Sequence, residues 1–314
     1  MSEHTFRISE GLRLRVAAEG ESGARWLRGL GARVAALERA WDVRIGDSFE
    51  GGSESLVLSA TCADGAAAIL KLGLPGTSNL AQEAHVYRIA AGRGYANLLA
   101  HDDEHNALLL ERLGRPVADL GLPLRTEQEL ICQTLHEAWI ALTDASGLMT
   151  GADKARWLAQ FIAKTWSALD VPCPRSTIDL ALEYADDRLR AYDPAKCLLV
   201  HGDGHEYNTL LAPDPPVDGV RRCKFIDPDG LFAEPAYDLG VLMRGGNDEL
   251  LEGDAIALGH ARCAALSAWA GVEPTPIWQW GFIERVSTGL LMTQLGMDGG
   301  RETLAIAQQW ALAV

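Results

Sequence analysis

His201-Gly202-Asp203-Gly204-His205-Glu206-Tyr207-Asn208 is followed by Phe225-Ile226-Asp227-Pro228-Asp229, with Asp227 nineteen residues beyond Asn208. The two segments supply a short acid, an amide five places on, and a second acid closing an apolar run. Phosphoryl transfer from a nucleotide requires that inventory. One carboxylate orients the incoming hydroxyl, and an amide and a second carboxylate hold the metal that neutralises the phosphates. Asp203 is the candidate acceptor of the hydroxyl proton. Asn208 and Asp227 are the candidate Mg²⁺ ligands, because that ion prefers hard oxygen and takes few protein carboxylates. His201-x-Asp203-x-His205 also spells a metal-binding trio for a hydrolase. That reading leaves Asn208 and Asp227 without a task and is set aside.

Around these segments the chain is organised in two halves. Short apolar runs at 197–200, 209–211 and 223–226 place the signature residues on loops of a rigid scaffold. Helical periodicity precedes them at about 127–142, 153–169 and 177–192, and resumes at about 236–244, 253–270, 277–295 and 301–313. Ahead of Gly114 the rhythm is that of strands, at about 42–45, 55–61, 66–72, 96–101 and 107–112. Ala63-Asp64-Gly65 marks a hairpin turn, and a helix over 79–91 ends at Gly92. Leu27, Leu30, Val34, Leu37 and Trp41 predict one further helix, over 24–41, which either packs on the first half or serves an interface. The expected fold class is α+β in two lobes: residues 1–113 with five antiparallel strands and one inserted helix, and residues 114–314 mainly helical.

Bulk properties narrow the function. Of the net charge of -15, residues 1–114 carry 15 acids against 12 bases, and the remainder carries 28 acids against 16 bases. An acidic field repels nucleic acid and anionic lipid and concentrates small cations, so neither nucleic acid nor membrane is an expected partner. No stretch reaches the roughly 18 apolar residues of a membrane span. The first residues, Met1 to Arg7, lack a basic region leading into an apolar one, so a cytoplasmic location is expected. Six scattered cysteines form no Cys-x-x-Cys pair and read as reduced, buried thiols rather than a zinc site.

The His-Gly-Asp-x-x-x-x-Asn motif, the run Ile226-Asp227-Pro228-Asp229-Gly230 and the run Glu234-Pro235-Ala236-Tyr237-Asp238-Leu239-Gly240 resemble the aminoglycoside phosphotransferase family. The match is nearest to its streptomycin and hydroxyurea kinase branch, over about residues 41–295. The resemblance implies a protein-kinase-like fold and an ATP- and Mg²⁺-dependent transfer to a hydroxyl of a small cationic molecule. A streptomycin-type aminoglycoside is the implied acceptor, with resistance as the outcome. Lys71, at the inner end of an apolar strand, matches the family's phosphate lysine, with Glu83 as its ion-pair partner. Gly51, Gly52 and Ser53, in the turn from Gly46, would cover the triphosphate, although the turn departs from a full Gly-x-Gly-x-x-Gly loop. Glu111 and Leu113 stand where the family's inter-lobe hinge would meet adenine. His201 and Asp238 are expected to support the catalytic loop, Asp238 by accepting from its backbone.

His205, Glu206, Asp229 and Glu234 are the candidate contacts to the acceptor, against simple loop solvation; Asp229 could equally join the metal shell or cap the turn at Gly230. Gly204 replaces a more usual apolar residue and either widens the pocket floor or loosens the loop. Two other readings stay open: a metabolic kinase of an amino sugar or amino alcohol, and a non-catalytic nucleotide- or drug-binding relative. A protein kinase is disfavoured because His-Gly-Asp replaces His-Arg-Asp. The oligomeric expectation is a monomer or homodimer.

Overall fold

The computed structural model of the chain describes residues 6–49, 54–214 and 222–312. These divide into two compact units that part between Gly114 and Arg115, a short piece beginning at Ala212 grouping with the first.

Three helices open the first unit: α1 (Glu10–Ala18), α2 (Gly20–Arg28) and α3 (Leu30–Trp41). Ser9 starts α1 by accepting the amide of Leu12. The single helix expected over 24–41 is therefore broken at Gly29, and α1 was not foreseen. Glycine is a poor helix interior residue, and here Arg33 Nη1 reaches back 2.9 Å to the carbonyl of Trp26, satisfying an acceptor that a continuous helix would have used. In α1 only Leu12 and Val16 are buried, too sparse an apolar stripe to stand out.

The strands β1 (Val43–Ser48), β2 (Ser55–Cys62) and β3 (Ala67–Gly73) follow, then α4 (Leu80–Ala90), β4 (Leu98–Asp102) and β5 (Ala107–Glu111). They form one antiparallel five-stranded sheet in the order β1-β2-β3-β5-β4. The β2–β3 hairpin turns at the expected place. Gly65 takes φ +88°, and Asp64 accepts the Ala66 amide at 2.9 Å. Side chains alternate across β3. Ala68, Leu70 and Leu72 join Leu12, Val16, Trp26, Leu30, Val34 and Leu37 in the helix-covered core. Lys71, one position out of phase, belongs to the other face.

The second unit begins with a 3-10 turn at Val117–Leu120 and continues with α5 (Leu124–Ala138), β6 (Ile140–Ala141), β7 (Met149–Thr150), α6 (Gly151–Ala168) and α7 (Arg175–Arg190). After them come β8 (Leu198–Val200), β9 (Thr209–Leu211), β10 (Cys223–Phe225) and β11 (Leu231–Ala233). The remaining helices are α8 (Ala236–Leu242), α9 (Asn247–Glu252), α10 (Ala255–Ala270), α11 (Pro274–Gln294) and α12 (Gly300–Ala311). The helix expected to reach position 142 stops at Ala138, because Ile140 and Ala141 pair with β8 instead. The strands β6, β7 and β11, and the short helix α9, were also missed; each is too brief to show a period. They complete a sheet of order β6-β8-β11-β7, beside a separate β9–β10 pair. Buried on every side from Ile277 to Ser287, α11 forms the axis of this unit. Among the described residues the cysteines are free, and all but Cys62 are buried; burial pushes the Cys132 thiol up to about 12. No helix of the described residues is long and apolar enough to cross a membrane.

Candidate active site

The two signature loops are neighbours because of the short strands that bound them. Residues 201–208 join β8 to β9, and 226–230 join β10 to β11. Pairing of Thr209 with Phe225 starts the β9–β10 ladder, and one more bond, from the Ile226 amide to the Asn208 carbonyl at 2.9 Å, extends it to the loop ends. Asn208 and Asp227 thus flank the same end of one two-stranded ribbon. On the other side, the Gly230 amide donates to the His201 carbonyl at 2.9 Å.

His201 is fully buried and ties both loops together. Its Nε2 lies 2.9 Å from the Ile226 carbonyl, and its Nδ1 accepts the amide of Asp203 at 3.1 Å. Those partners select the tautomer with the proton on Nε2. They also occupy both ring nitrogens, so the His201-x-Asp203-x-His205 metal trio does not form. Among the described residues no group of three or more His, Cys, Asp or Glu could hold a metal ion. Gly202 sits at φ +90°, where a Cβ would come 2.7 Å from that of Asp229. Only glycine fits so close an approach in the left-handed region.

Asp238 braces this loop from the first turn of α8. It is fully buried, and it accepts the His201 amide at 2.9 Å, the Gly202 amide at 2.8 Å and the Trp139 indole at 2.9 Å. Burial pushes its carboxyl up, against the pull of His201 and these donors. Gly204 is also buried; a Cβ there would stand 3.3 Å from both Leu135 and Phe225, so the residue is a packing contact of the loop.

Asp203 presents its carboxylate from the middle of the loop. Its backbone carbonyl receives the His205 amide at 3.0 Å and Asn208 Nδ2 at 3.1 Å. With Nδ2 so used, Asn208 turns its amide oxygen away from that bond. His205 accepts the Tyr207 amide on Nδ1 at 3.2 Å and faces Asp203 Oδ2 with Nε2 at 3.4 Å. Asp203 Oδ1 meets Arg244 Nη2 at 2.5 Å. Burial alone would raise the Asp203 carboxyl, but the Arg244 guanidinium outweighs it, and His205 adds to the effect. The acid is held well below the usual carboxylate range.

Arg244 was not singled out from the sequence. It follows the fully buried helix α8 and precedes Gly245-Gly246. A lone charge closing an apolar run and opening a glycine turn was the available signal. Behind it, Arg244 Nη1 reaches Glu284 at 3.4 Å, and Glu284 also takes the Tyr237 hydroxyl. Glu284 and Arg285 are consecutive charges in the buried stretch of α11, again visible only as an anomaly of composition.

The acids expected to meet a cationic acceptor fare differently. Asp229 already lies 3.3 Å from Lys154, and Glu234 lies 3.3 Å from Arg188 while accepting the Trp280 indole at 2.9 Å. Glu206 is half-buried, and its backbone carbonyl accepts the Ala118 amide. Its carboxylate lies near Glu127, another half-buried acid that was not foreseen. Burial first, and Glu206 second, push the Glu127 carboxyl up to about 6.

In the first unit, Lys71 Nζ lies 2.7 and 2.9 Å from the two oxygens of Glu83, which stands in the first turn of α4. Asn106 Oδ1 caps that helix from the β4–β5 turn by accepting the Leu80 amide at 3.2 Å. Glu111 closes β5, its amide bound to the Asn97 carbonyl and its carboxylate accepting the Asn97 amide at 2.8 Å. Leu113 is buried just beyond it. Gly51, Gly52 and Ser53 lie outside the described residues.

Comparisons with known proteins bear on the family and the fold. The profile of the aminoglycoside/hydroxyurea antibiotic resistance kinase family matches residues 40–296. Streptomycin 6-kinase of Streptomyces glaucescens is 25% identical over 294 residues, covering 92% of each chain. Hydroxyurea phosphotransferase of Kitasatospora aureofaciens is 38% identical over 103 residues, 32% of this chain and 30% of that protein. Among solved structures, choline kinase LicA of Streptococcus pneumoniae aligns with a TM-score of 0.60 at 14% identity, over 89% of this chain and 97% of that one. At such identity the last match speaks for a protein-kinase-like fold alone. The chain belongs to the aminoglycoside/hydroxyurea antibiotic resistance kinase family, and it is a phosphotransferase with an alcohol group as acceptor.

Proposed function

We propose that this enzyme uses ATP and Mg²⁺ to phosphorylate a hydroxyl of a small cationic molecule, with a streptomycin-type aminoglycoside as the acceptor and resistance as the result. The observation that carries the reading is the Asp203 loop. An ionised carboxylate is held on a backbone that Asp238 and His201 fix, in a loop whose last residue, Asn208, shares a ribbon end with the residue before Asp227. Its supports outside the site are the streptomycin 6-kinases of Streptomyces glaucescens and Streptomyces griseus among the relatives.

In this reading Asp203 orients the acceptor hydroxyl and takes its proton as the bond to phosphorus forms. Asn208, through the oxygen not committed to Asp203, and Asp227 would hold Mg²⁺; the pair suits an ion that takes one or two protein oxygens and fills its shell with phosphate and water. Bound there, the ion would neutralise charge on the phosphates. Lys71, aimed by Glu83, would contact the phosphates, the glycine turn containing Gly51, Gly52 and Ser53 would cover them, and the chain from Glu111 to Leu113 would meet adenine. Glu206 with Glu127, rather than Asp229 or Glu234, is the acid pair best suited to an ammonium or guanidinium of the acceptor. The latter two already have cations of their own.

A coupled assay of ADP release tests the reading, run with streptomycin, other aminoglycosides, amino sugars and amino alcohols, with products mapped by mass spectrometry. Acceptor-dependent turnover with an aminoglycoside is the expected result. Turnover with amino sugars or amino alcohols alone would replace this substrate class with a metabolic one.

A further inference from the structure

Between the proposed catalytic acid and the core of the second unit stands a guanidinium whose placement is unusually determined. Arg244 holds Asp203 Oδ1 at 2.5 Å through one nitrogen and Glu284 at 3.4 Å through another. Glu284 is itself 5% exposed and is engaged by the buried Tyr237 hydroxyl. The main chain on either side of Arg244 is pinned as well. Arg285 Nη2 donates to the Met243 carbonyl at 2.7 Å and to the Gly245 carbonyl at 3.1 Å, and Arg262 Nη1 donates to the Gly245 carbonyl at 2.6 Å. Arg285 is fully buried, held otherwise by Asn247 at 2.7 Å and the face of Trp310.

Burying guanidinium groups to fix two carbonyls is a costly way to build a turn. What the turn gains is a fixed origin for the Arg244 side chain. The two oxygens of Asp203 are then inequivalent. Oδ1 is engaged at short range by a planar charged donor, whereas Oδ2 faces only the looser contact with His205 at 3.4 Å among the contacts of the Asp203 side chain with described residues. A hydroxyl can displace a 3.4 Å imidazole contact far more readily than a short charge-assisted bond.

Resting on the phosphotransferase reading above, we propose that Arg244 is a positioning residue of the transfer reaction. It clamps Asp203 by Oδ1 so that Oδ2 alone is offered to the acceptor hydroxyl, with Glu284 as its anchor and Arg285 and Arg262 holding the turn that carries it. The chemistry is unchanged by this: the hydroxyl oxygen bonds to the γ-phosphorus, its proton passes to Asp203 Oδ2, and ADP leaves with the electrons of the broken bond. Arg244 neither gains nor loses a proton.

The test is a split of kinetic constants in the full-length enzyme. Arg244→Met should lower kcat about 100-fold, the scale expected when a reacting group is misplaced by an ångström, with KM for ATP within about twofold. Arg244→Lys, which keeps the charge and loses the planar fork, should recover only part of that loss. Glu284→Gln should fall between wild type and Arg244→Met. Melting curves and ATP binding of each variant report folding. If Arg244→Met does not fold, the lysine and glutamine variants decide alone. A kcat within threefold of wild type in the folded variants, or a loss seen only in KM for acceptor, overturns the clamp while leaving the functional reading intact. A wild-type enzyme that transfers phosphate neither to an acceptor nor to water overturns both.

Discussion

Lys71 Nζ lies 2.7 Å from Glu83 Oε1, and the two side chains are only 9% and 15% exposed. The pair therefore behaves as a buried ion pair. Removing one partner takes from the other its ion-pair contact in a poorly hydrated site, whereas removing both removes the two buried charges together. Lys71→Met is expected to cost about 3 kcal/mol of stability, and adding Glu83→Gln should restore a good part of it. Urea denaturation of the two single variants and the double measures this. Strictly additive losses would mean that the two charges are independent.

Turnover should depend on Asp203 far more than nucleotide binding does. Asp203→Asn keeps the shape and removes the proton acceptor, so kcat should fall by about 100- to 10,000-fold, with ATP affinity nearly unchanged. Isothermal titration with a non-hydrolysable analogue separates the two effects. Undiminished transfer by the variant would reassign the base.

Three donors converge on Asp238: the His201 and Gly202 amides and the Trp139 indole. With alanine there, each buried donor would lack a partner, at about 1–3 kcal/mol apiece. Asp238→Ala should lower stability by at least about 3 kcal/mol in chemical denaturation. Asp238→Asn, which keeps one acceptor oxygen, should lose less. Equal losses would show that volume rather than hydrogen bonding matters at this position.

A pH signature is expected from Glu127, whose carboxyl is pushed up to about 6 from the ordinary 4.5 by burial and by Glu206. The folded state then binds this proton more tightly than the unfolded chain does. Its contribution is fully present below pH 4.5 and is lost as pH rises through 6. Glu127→Gln should therefore melt higher than wild type at pH 8, with the difference vanishing near pH 4. If the acceptor is cationic, its KM in wild type should fall as pH rises through 6. A pH-independent melting difference would remove Glu127 from this account.

The legible parts of the fold and site are those encoded within a few residues. The five-stranded sheet could be read because turn residues such as Asp64 and Gly65 punctuate apolar runs of adequate length. The loops holding Asp203, Asn208 and Asp227 could be read because each is bounded by an apolar triplet. Arg244 is another matter: it meets Asp203 across 41 positions, through the packing of α8 and α11, and no local pattern records that contact. The pairing of Asp229 with Lys154 and of Glu234 with Arg188 was hidden for the same reason. The net acidity of the second half says nothing about which acids already have partners. At Gly29 the local signal was present, and a strong apolar period on both sides concealed it.

The family match begins at residue 40, yet α1, α2 and most of α3 lie before it. Those helices supply Leu12, Val16, Trp26, Leu30, Val34 and Leu37 to the layer beneath Leu56, Leu58, Leu70 and Leu72. A recombinant fragment trimmed to the recognised boundary would leave one whole surface of the five-stranded sheet wet and greasy. Such a fragment should precipitate or be recovered with chaperones, and its inactivity would say nothing about the catalytic loop.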